Sequence, residues 1–468
     1  MTAVEPVLDL GWVDEVLLAG PDDEVCLRPG TPVTRAQLRT LVGERQERLA
    51  AAGLRQGGTV ALRMPPSLAY VANLLAAWRT GAQVALLDHR LTQYEVDRAF
   101  ETIKPQVVVS GAATGGGALR IFHKVTETVA AHPGQPAATG HALLQLSSGS
   151  TGPSKVIGRT AANLVAEVDR YTRIDGVPRP GERIVVLASM VHVLGLVGGL
   201  LYGLHARARL VVPERLTVDH VVHAVGEDPE PATVLGVPFH IELLAAVAEA
   251  PPLPQFVRMT TGGELVRAEV VQRFTDRYGA TLGNMYGMTE VGVIATDLFG
   301  KHRPALEPAP GIPVREENGE LLVGLAASPY VGLSDPTRFV DGWLHTRDGG
   351  RVDPQTGLVT VRGRLDSQVS VGGLKVDLTE VEHTLAGLPG VGAAVVVFDN
   401  GIQAYVMLSD PAAGGGLADA LATRLAPYKR PRRLHILDQL PRNATGKLIR
   451  NSAALRAAAG DTKGEEAH

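Results

Sequence analysis

Cysteine is almost absent: Cys26 is the only one, which excludes an intrachain disulfide and any multi-thiolate zinc site. Neither sign of charge dominates. With 45 basic and 49 acidic residues and a net charge of -4, the chain has no electrostatic footprint for nucleic acid, and its one dense basic run, Arg430 to Arg433, reads as a solvated loop. Met1 to Leu10 has no positively charged opening and carries Glu5 and Asp9, unlike a signal peptide, so the expected compartment is the cytoplasm. Ile184 to Leu204 lacks formal charge and is long enough to span a bilayer. It nevertheless holds Ser189, His192, Gly195, Gly198, Gly199 and Gly203 and opens on β-branched residues, the pattern of a buried strand turning into a buried helix. Neither a membrane nor a nucleic acid is expected as a partner.

What is present fits a large globular protein. Over 468 residues, 45% are hydrophobic and 20% charged, which allows a sizeable core and calls for more than one domain. The most informative stretch runs from Gln145 to Lys155. Gly149 and Gly152 let backbone approach an anion, Ser147, Ser148, Ser150 and Thr151 supply hydroxyl donors, and Lys155 supplies charge. Its spacing differs from G-x-x-x-x-G-K-[ST], since Gly152 stands three residues before Lys155 and Val156 follows.

Around this loop the pattern alternates. Thr59–Leu62, Val84–Leu87 and Val107–Ser110 read as strands, with helices over 67–80 and 92–102, the latter opened by a Thr92/Glu95 capping box and the former closed by Gly81. Such alternation argues a mostly parallel sheet covered by helices. Residues 111–141 read as loop with one short helix. Further helices are expected over 161–171, 218–225 with Thr217 as N-cap, and 267–278. Thr260-Thr261-Gly262-Gly263-Glu264 follows a strand and Asn284 to Glu290 follows a helix; each is a polar turn of the kind at which α/β sheets bind ligands. His192, between apolar neighbours, reads by itself as a satisfied core histidine. Beyond Gly300 the pattern becomes antiparallel. The last hundred residues suggest a separate small α+β domain whose tail, from Ala453, frays.

Together these stretches resemble the adenylate-forming superfamily of acyl-CoA synthetases, peptide-synthetase adenylation domains and luciferase. The match rests on Ser147 to Lys155, the His192 region, Gly262-Gly263-Glu264, Tyr286-Gly287-Met288-Thr289-Glu290, Thr346-Arg347-Asp348, Gly363-Arg364-Leu365-Asp366 and Thr445-Gly446-Lys447, in the family's order. The resemblance implies an α/β fold: a large N-terminal domain (1–365) of two αβ sheets plus a distorted β-barrel, a hinge near Asp366, and a small mobile α+β C-terminal domain (366–468). It also implies the activity, in which a carboxylate attacks the α-phosphate of ATP with Mg2+ to give an acyl-adenylate and pyrophosphate, and a thiol then displaces AMP.

The resemblance assigns roles as well. Lys447, Thr289, Glu290 and His192 would be catalytic, with Glu290 as the metal ligand. Ser147, Ser148, Gly149, Ser150, Thr151, Gly152 and Lys155 would hold phosphates, while Gly262, Gly263, Glu264, Tyr286, Gly287, Asp348 and Arg364 would hold the nucleotide. His192, Val193, Gly195, Gly262 and Gly287 would line the acid pocket. Coenzyme A is the expected acceptor and a carrier-protein phosphopantetheine the alternative; a non-catalytic nucleotide-binding regulator is the reading from another class. The oligomeric state stays open between monomer and homodimer. Three departures matter: Ser154 precedes Lys155 where the family more often has proline, Ser367 and Ser370 stand where many members carry an acid and a lysine, and beside His192 there are only Val193, Leu194 and Gly195. An amino acid's ammonium would be unpaired there, so an apolar or aryl carboxylic acid, a small molecule, is expected.

Overall fold

The structure is a computed structural model that describes residues 10–89, 91, 93–113, 120–146, 156–262, 266–332, 337–365, 368–371, 374–425, 429–443 and 447–460. The chain divides into two compact units. The first is built on residues up to Pro313 and on Leu325–Asp335, the second on Val314–Gly324 and the chain from Pro336 onward.

Two sheets make the first unit. One runs, in spatial order, Val33–Thr34, Val25–Arg28, Arg209–Val211, Arg183–Val186, Ala232–Gly236, Phe256–Gly262, Thr281–Met288, Gly292–Asp297 and Ala305–Pro308. From Val25–Arg28 to Thr281–Met288 its neighbours are parallel. The other sheet is ordered Val125–Ala131, Val107–Ala113, Thr59–Arg63, Gln83–Leu87, Leu143–Leu146, Val156–Arg159 and Tyr330–Val331. Parallel strands need helical crossovers, and the expected helices supply them. Leu68–Arg79 is N-capped by Ser67 and stopped by Gly81 at φ +74°. Ala161–Thr172 starts in a capping box between Thr160 and Asn163, and Val218–Gly226 starts on Thr217. One core lies between the first sheet and its helices, where Phe256, Phe274 and Tyr278 meet edge to face or tilted beneath Val185, Val234 and Met259.

The second unit is antiparallel at its start. Val314–Glu317 and Glu320–Gly324 form a hairpin over Asn318 and Gly319, both at positive φ, as a tight hairpin turn requires. Glu320–Gly324 continues onto Trp343–Val352, which pairs with Val359–Arg364. Further on, Val391–Phe398 pairs antiparallel with Ile402–Leu408, and Arg433–Leu437 adds a parallel strand. The helix Leu378–Ala386 packs its Val381 and Leu385 against this sheet. Thr92 and Asp366 lie outside the described residues, so the capping box and the hinge expected there are not placed.

Three expectations need correction. Residues 125–131 are a strand, not loop or helix: Val125–Ala131 pairs antiparallel along the whole of Val107–Ala113. It is an edge strand that buries no residue fully, so it lacks the apolar signal of a core strand. Thr260–Gly262 and Asn284–Met288 are no turns but the ends of the strands Phe256–Gly262 and Thr281–Met288, and in the second stretch only Thr289 and Glu290 turn. The tail does not fray at Ala453, because Asn451 caps a helix over Ser452–Ala458 whose Leu455 is fully buried beside Val395 and Tyr405. Among the described residues no helix is long and apolar enough to cross a membrane. The run from Ile184 is the strand Arg183–Val186 followed by a wide helical coil, Leu194–Leu201, continuing as Tyr202–His205.

Candidate active site

In an open parallel sheet, ligands bind beyond the carboxyl ends of the strands. In the first unit those ends are Val186, Gly236, Gly262 and Met288. The segment after Val186 carries His192, which is exposed rather than buried in the core. Two buried side chains fix its approach: Tyr70 Oη donates to Met190 O at 2.9 Å and Gln145 Nε2 donates to Val191 O at 2.6 Å. Burial raises the Tyr70 phenol far above its ordinary range, so it stays a neutral donor. Val193 and Leu194 are half-buried beyond the histidine.

Gly262 sits in register with Met285. A side chain there would meet Met285 O at 2.9 Å and approach Leu194 Cδ2 at 3.8 Å, so the strand end is bare backbone facing an apolar neighbour. Gly287 is equally constrained, with Gly292 O only 2.5 Å from where a Cβ would stand. A bulge separates Tyr286 from Gly287. Gly195 is closed in by the carbonyls of Ala188 and Ser189, at 2.5 and 2.4 Å from a Cβ; its missing side chain makes room for backbone at the start of the coil. His240, in the first turn of the helix Pro238–Ala245 that follows the strand Ala232–Gly236, accepts from Val237 N at 3.0 Å, and burial pushes its pKa down to about 4, which keeps the ring neutral.

Thr289 and Glu290 turn the chain between Thr281–Met288 and Gly292–Asp297. Glu290 Oε1 accepts the Tyr330 hydroxyl at 2.9 Å. Tyr330 in turn lies opposite Ile157 in the strand Val156–Arg159. Beneath this turn, Glu167 is fully buried, paired with Arg159 Nη2 at 2.5 Å, and its Oε1 accepts Val293 N at 3.1 Å. Sequence reasoning missed Glu167, Arg159 and Tyr330. Glu167 had a readable signal, a carboxylate on the same helix stripe as the buried Leu164, Val168 and Tyr171.

The second unit carries Asp348, Arg364 and Lys447. Asp348 is buried on Trp343–Val352 and stands opposite Arg364 in register. Its placement is braced by Thr346, whose hydroxyl donates to Leu321 O at 2.6 Å and accepts Asp348 N at 3.0 Å. Glu320 accepts Arg347 N at 2.8 Å and lies 2.9 Å from His345 Nδ1. Lys447 is exposed in a loop closed by Asn443, whose Oδ1 accepts Lys447 N at 3.0 Å and whose N donates to Lys447 O at 2.8 Å. The expected phosphate loop, Ser147 to Lys155, and Gly263, Glu264, Thr445 and Gly446 lie outside the described residues, as does the side chain of Arg364.

The sequence profile described as AMP-binding enzyme matches residues 14–322, and that described as AMP-binding enzyme C-terminal domain matches residues 380–447. The chain belongs to the AMP-binding enzyme family. Feruloyl-CoA synthase of an Amycolatopsis species is 30% identical over 91% of this chain and 94% of its own length. The 4-coumarate–CoA ligase 5 of rice, Oryza sativa subsp. japonica, is 28% identical over 88% and 87%. Among solved structures, the O-succinylbenzoate coenzyme A synthetase of Bacillus subtilis with AMP shares the fold at TM-score 0.79 and 23% identity, covering 95% of this chain and 97% of its own. ATP-bound MatB of Rhodopseudomonas palustris shares it at TM-score 0.79 and 20% identity, covering 97% and 99%. This AMP-binding enzyme is therefore an AMP-forming acid–thiol ligase that activates a carboxylic acid with ATP.

Proposed function

We propose that the enzyme joins an apolar or aryl carboxylic acid to coenzyme A through an acyl-adenylate. The observation that carries the acid class is the apolar setting of the strand end, where buried Gly262 lies against Leu194 and Val193 follows His192. The names of relatives support the same class, since they include ligases for benzoate and 2-succinylbenzoate. In the first half-reaction a carboxylate oxygen attacks the α-phosphorus and the bond to the β-phosphate breaks. Carboxylate and triphosphate repel, so the step needs donors and cations aimed at the charge that develops. Lys447 is assigned to that charge, Thr289 as a hydroxyl donor, and Asp348 as acceptor from the ribose hydroxyls with Arg364 beside it. The loop from Ser147 to Lys155 takes the β- and γ-phosphates.

Among the described residues no cluster of three acidic, histidine or cysteine side chains could hold a metal by itself. That suits magnesium, which keeps water and phosphate ligands and needs one or two carboxylates from a protein; Glu290 is the residue that would hold it. Bound there, the ion neutralises phosphate charge. Tyr330 orients the Glu290 carboxylate through the hydrogen bond described above. Tyr330→Phe keeps the ring and removes the donor, so it should raise the magnesium concentration for half-maximal activity about threefold to tenfold, roughly the 1 kcal/mol of a hydrogen bond to a carboxylate. Thermal stability should hold, and an unchanged magnesium dependence would remove Tyr330 from this role.

In the second half-reaction a thiol attacks the carbonyl carbon and AMP leaves. We assign the hinge for exchange between the two steps to Asp366. A second reading, transfer to carrier-protein phosphopantetheine, is favoured by a fatty acid–[acyl-carrier-protein] ligase of Streptomyces coeruleorubidus, 32% identical over 40% of this chain. The test is acid-dependent pyrophosphate release over aliphatic, cyclic, aryl and α-amino acids, with coenzyme A trapping. Apolar or aryl acids should lead; a free amino acid ahead by about tenfold, 1.4 kcal/mol of transition-state preference, would overturn the acid class.

A further inference from the structure

Glu382 is a buried carboxylate to which the reading above gives no role. It stands on the apolar stripe of the helix Leu378–Ala386, between Val381 and Leu385, and is only 6% exposed. A carboxylate is rarely buried unless it is paired and hydrogen-bonded, and both oxygens of this one are committed. Arg450 Nη1 donates to Oε2 at 2.6 Å and Nη2 to Oε1 at 2.5 Å, a bidentate fork. Oε2 also accepts Val396 N at 2.9 Å. Val391–Phe398 is the edge strand of its three-stranded sheet, so the carboxylate takes an edge N–H that lacks a strand to pair with.

Three residues before Arg450 is Lys447. The segment that carries it closes on itself. Arg442 bridges to Leu448 as an antiparallel pair, and Ile449 N donates to Pro441 O at 2.9 Å, outside the two bonds between Asn443 and Lys447. Two kinds of contact hold this segment to the small sheet. Leu440 and Leu455 are buried in one cluster with Val395 and Tyr405, and Leu448 packs against it. Such apolar contacts are non-directional, whereas a guanidinium fork is planar and fixes an orientation. We propose that Arg450 and Glu382 are positioning residues for adenylation. Their fork ties the Lys447 segment to the helix and the edge strand, and so sets where the lysine ammonium is delivered. The inference rests on the role proposed for Lys447.

The test uses the full-length enzyme and a double variant, Arg450→Met with Glu382→Gln. Removing the arginine alone would leave a buried carboxylate uncompensated; glutamine removes that charge and keeps an oxygen for Val396 N. Denaturant unfolding, amide hydrogen exchange and single-turnover assays of the two half-reactions are read together. The unfolding midpoint should match the wild type, while the amides of Lys447 and Ile449 exchange about tenfold faster and those of Val391–Phe398 keep their rates. Adenylate formation should fall about tenfold to a hundredfold, the scale of misplacing a reacting group by about 1 Å, and thioester formation from pre-formed acyl-adenylate should stay within about twofold of wild type. Arg450→Lys, which keeps the charge and loses the fork, is the second variant; it leaves Glu382 paired and should slow adenylation about threefold or more. Normal adenylation in either variant overturns the proposal, and leaves the functional reading standing if Lys447→Ala is impaired. Equal losses in the two half-reactions overturn it as well, because the pair would then serve the fold alone. If Lys447→Ala itself adenylates at the wild-type rate, the role of Lys447 falls and this inference falls with it.

Discussion

Lys447→Ala is expected to depress acyl-adenylate formation about 10²-fold or more, the scale of losing one preorganised group at developing charge. The same variant, given pre-formed acyl-adenylate and coenzyme A, should make thioester at close to the wild-type rate. The asymmetry follows from what the lysine does. It is exposed, held by its backbone to Asn443 rather than by side-chain packing, so removing its ammonium leaves the fold intact and costs only the charge it delivers. Single-turnover assays of each half-reaction decide the matter. Equal losses in both steps would mean that Lys447 serves the enzyme throughout, and the proposed exchange about Asp366 would have to be abandoned.

Gly292→Ala is expected to damage the first unit severely. Gly292 has φ +89°, which L side chains rarely adopt, and a Cβ there would stand 2.0 to 2.3 Å from the carboxylate of Glu167. That carboxylate cannot retreat without breaking its bonds to Arg159 and to Val293 N. Backbone strain and overpacking each cost about 1–3 kcal/mol, so a loss of about 3 kcal/mol or more is expected together with loss of activity, because Glu290 lies two residues away. Gly279→Ala is the control. It shares positive φ, +63°, but nothing lies within 4 Å of its Cβ position, so it should cost only about 1 kcal/mol. Denaturant unfolding of both variants tests this; similar midpoints would mean that Glu167 yields easily and that the buried pair does not brace the Glu290 turn.

The contrast shows which features the sequence could carry. Periodicity located the parallel layers well, because apolar runs such as Val84–Leu87 have no other use in water, and Thr217 starts its helix where the sequence places the cap. The ordered motifs singled out Thr289 and Glu290, which lie in a turn, Asp348, which lies within the strand Trp343–Val352, and Lys447, which lies in a loop. What stayed hidden was tertiary. Nothing local to Tyr330 says that its hydroxyl meets Glu290, forty residues earlier, and the edge strand Val125–Ala131 forms because Val107–Ala113 offers it a ladder rather than because its own residues are apolar. His192 looked like a core histidine from its neighbours, yet Tyr70 and Gln145 pin the backbone before it and leave the ring exposed. The helix Ser452–Ala458 depends on one leucine, Leu455, finding a place beside Tyr405. Composition alone could not show that.

The central claim, that a carboxylate oxygen attacks the α-phosphorus and a thiol then displaces AMP, is tested most directly by oxygen transfer. The enzyme is given its best acid labelled with 18O in the carboxylate, together with ATP, magnesium and coenzyme A, and the products are weighed by mass spectrometry. One labelled oxygen should appear in the phosphate of each AMP, with one acyl-CoA formed per AMP and an unlabelled pyrophosphate. Unlabelled AMP, or ADP with label in orthophosphate, would contradict the account.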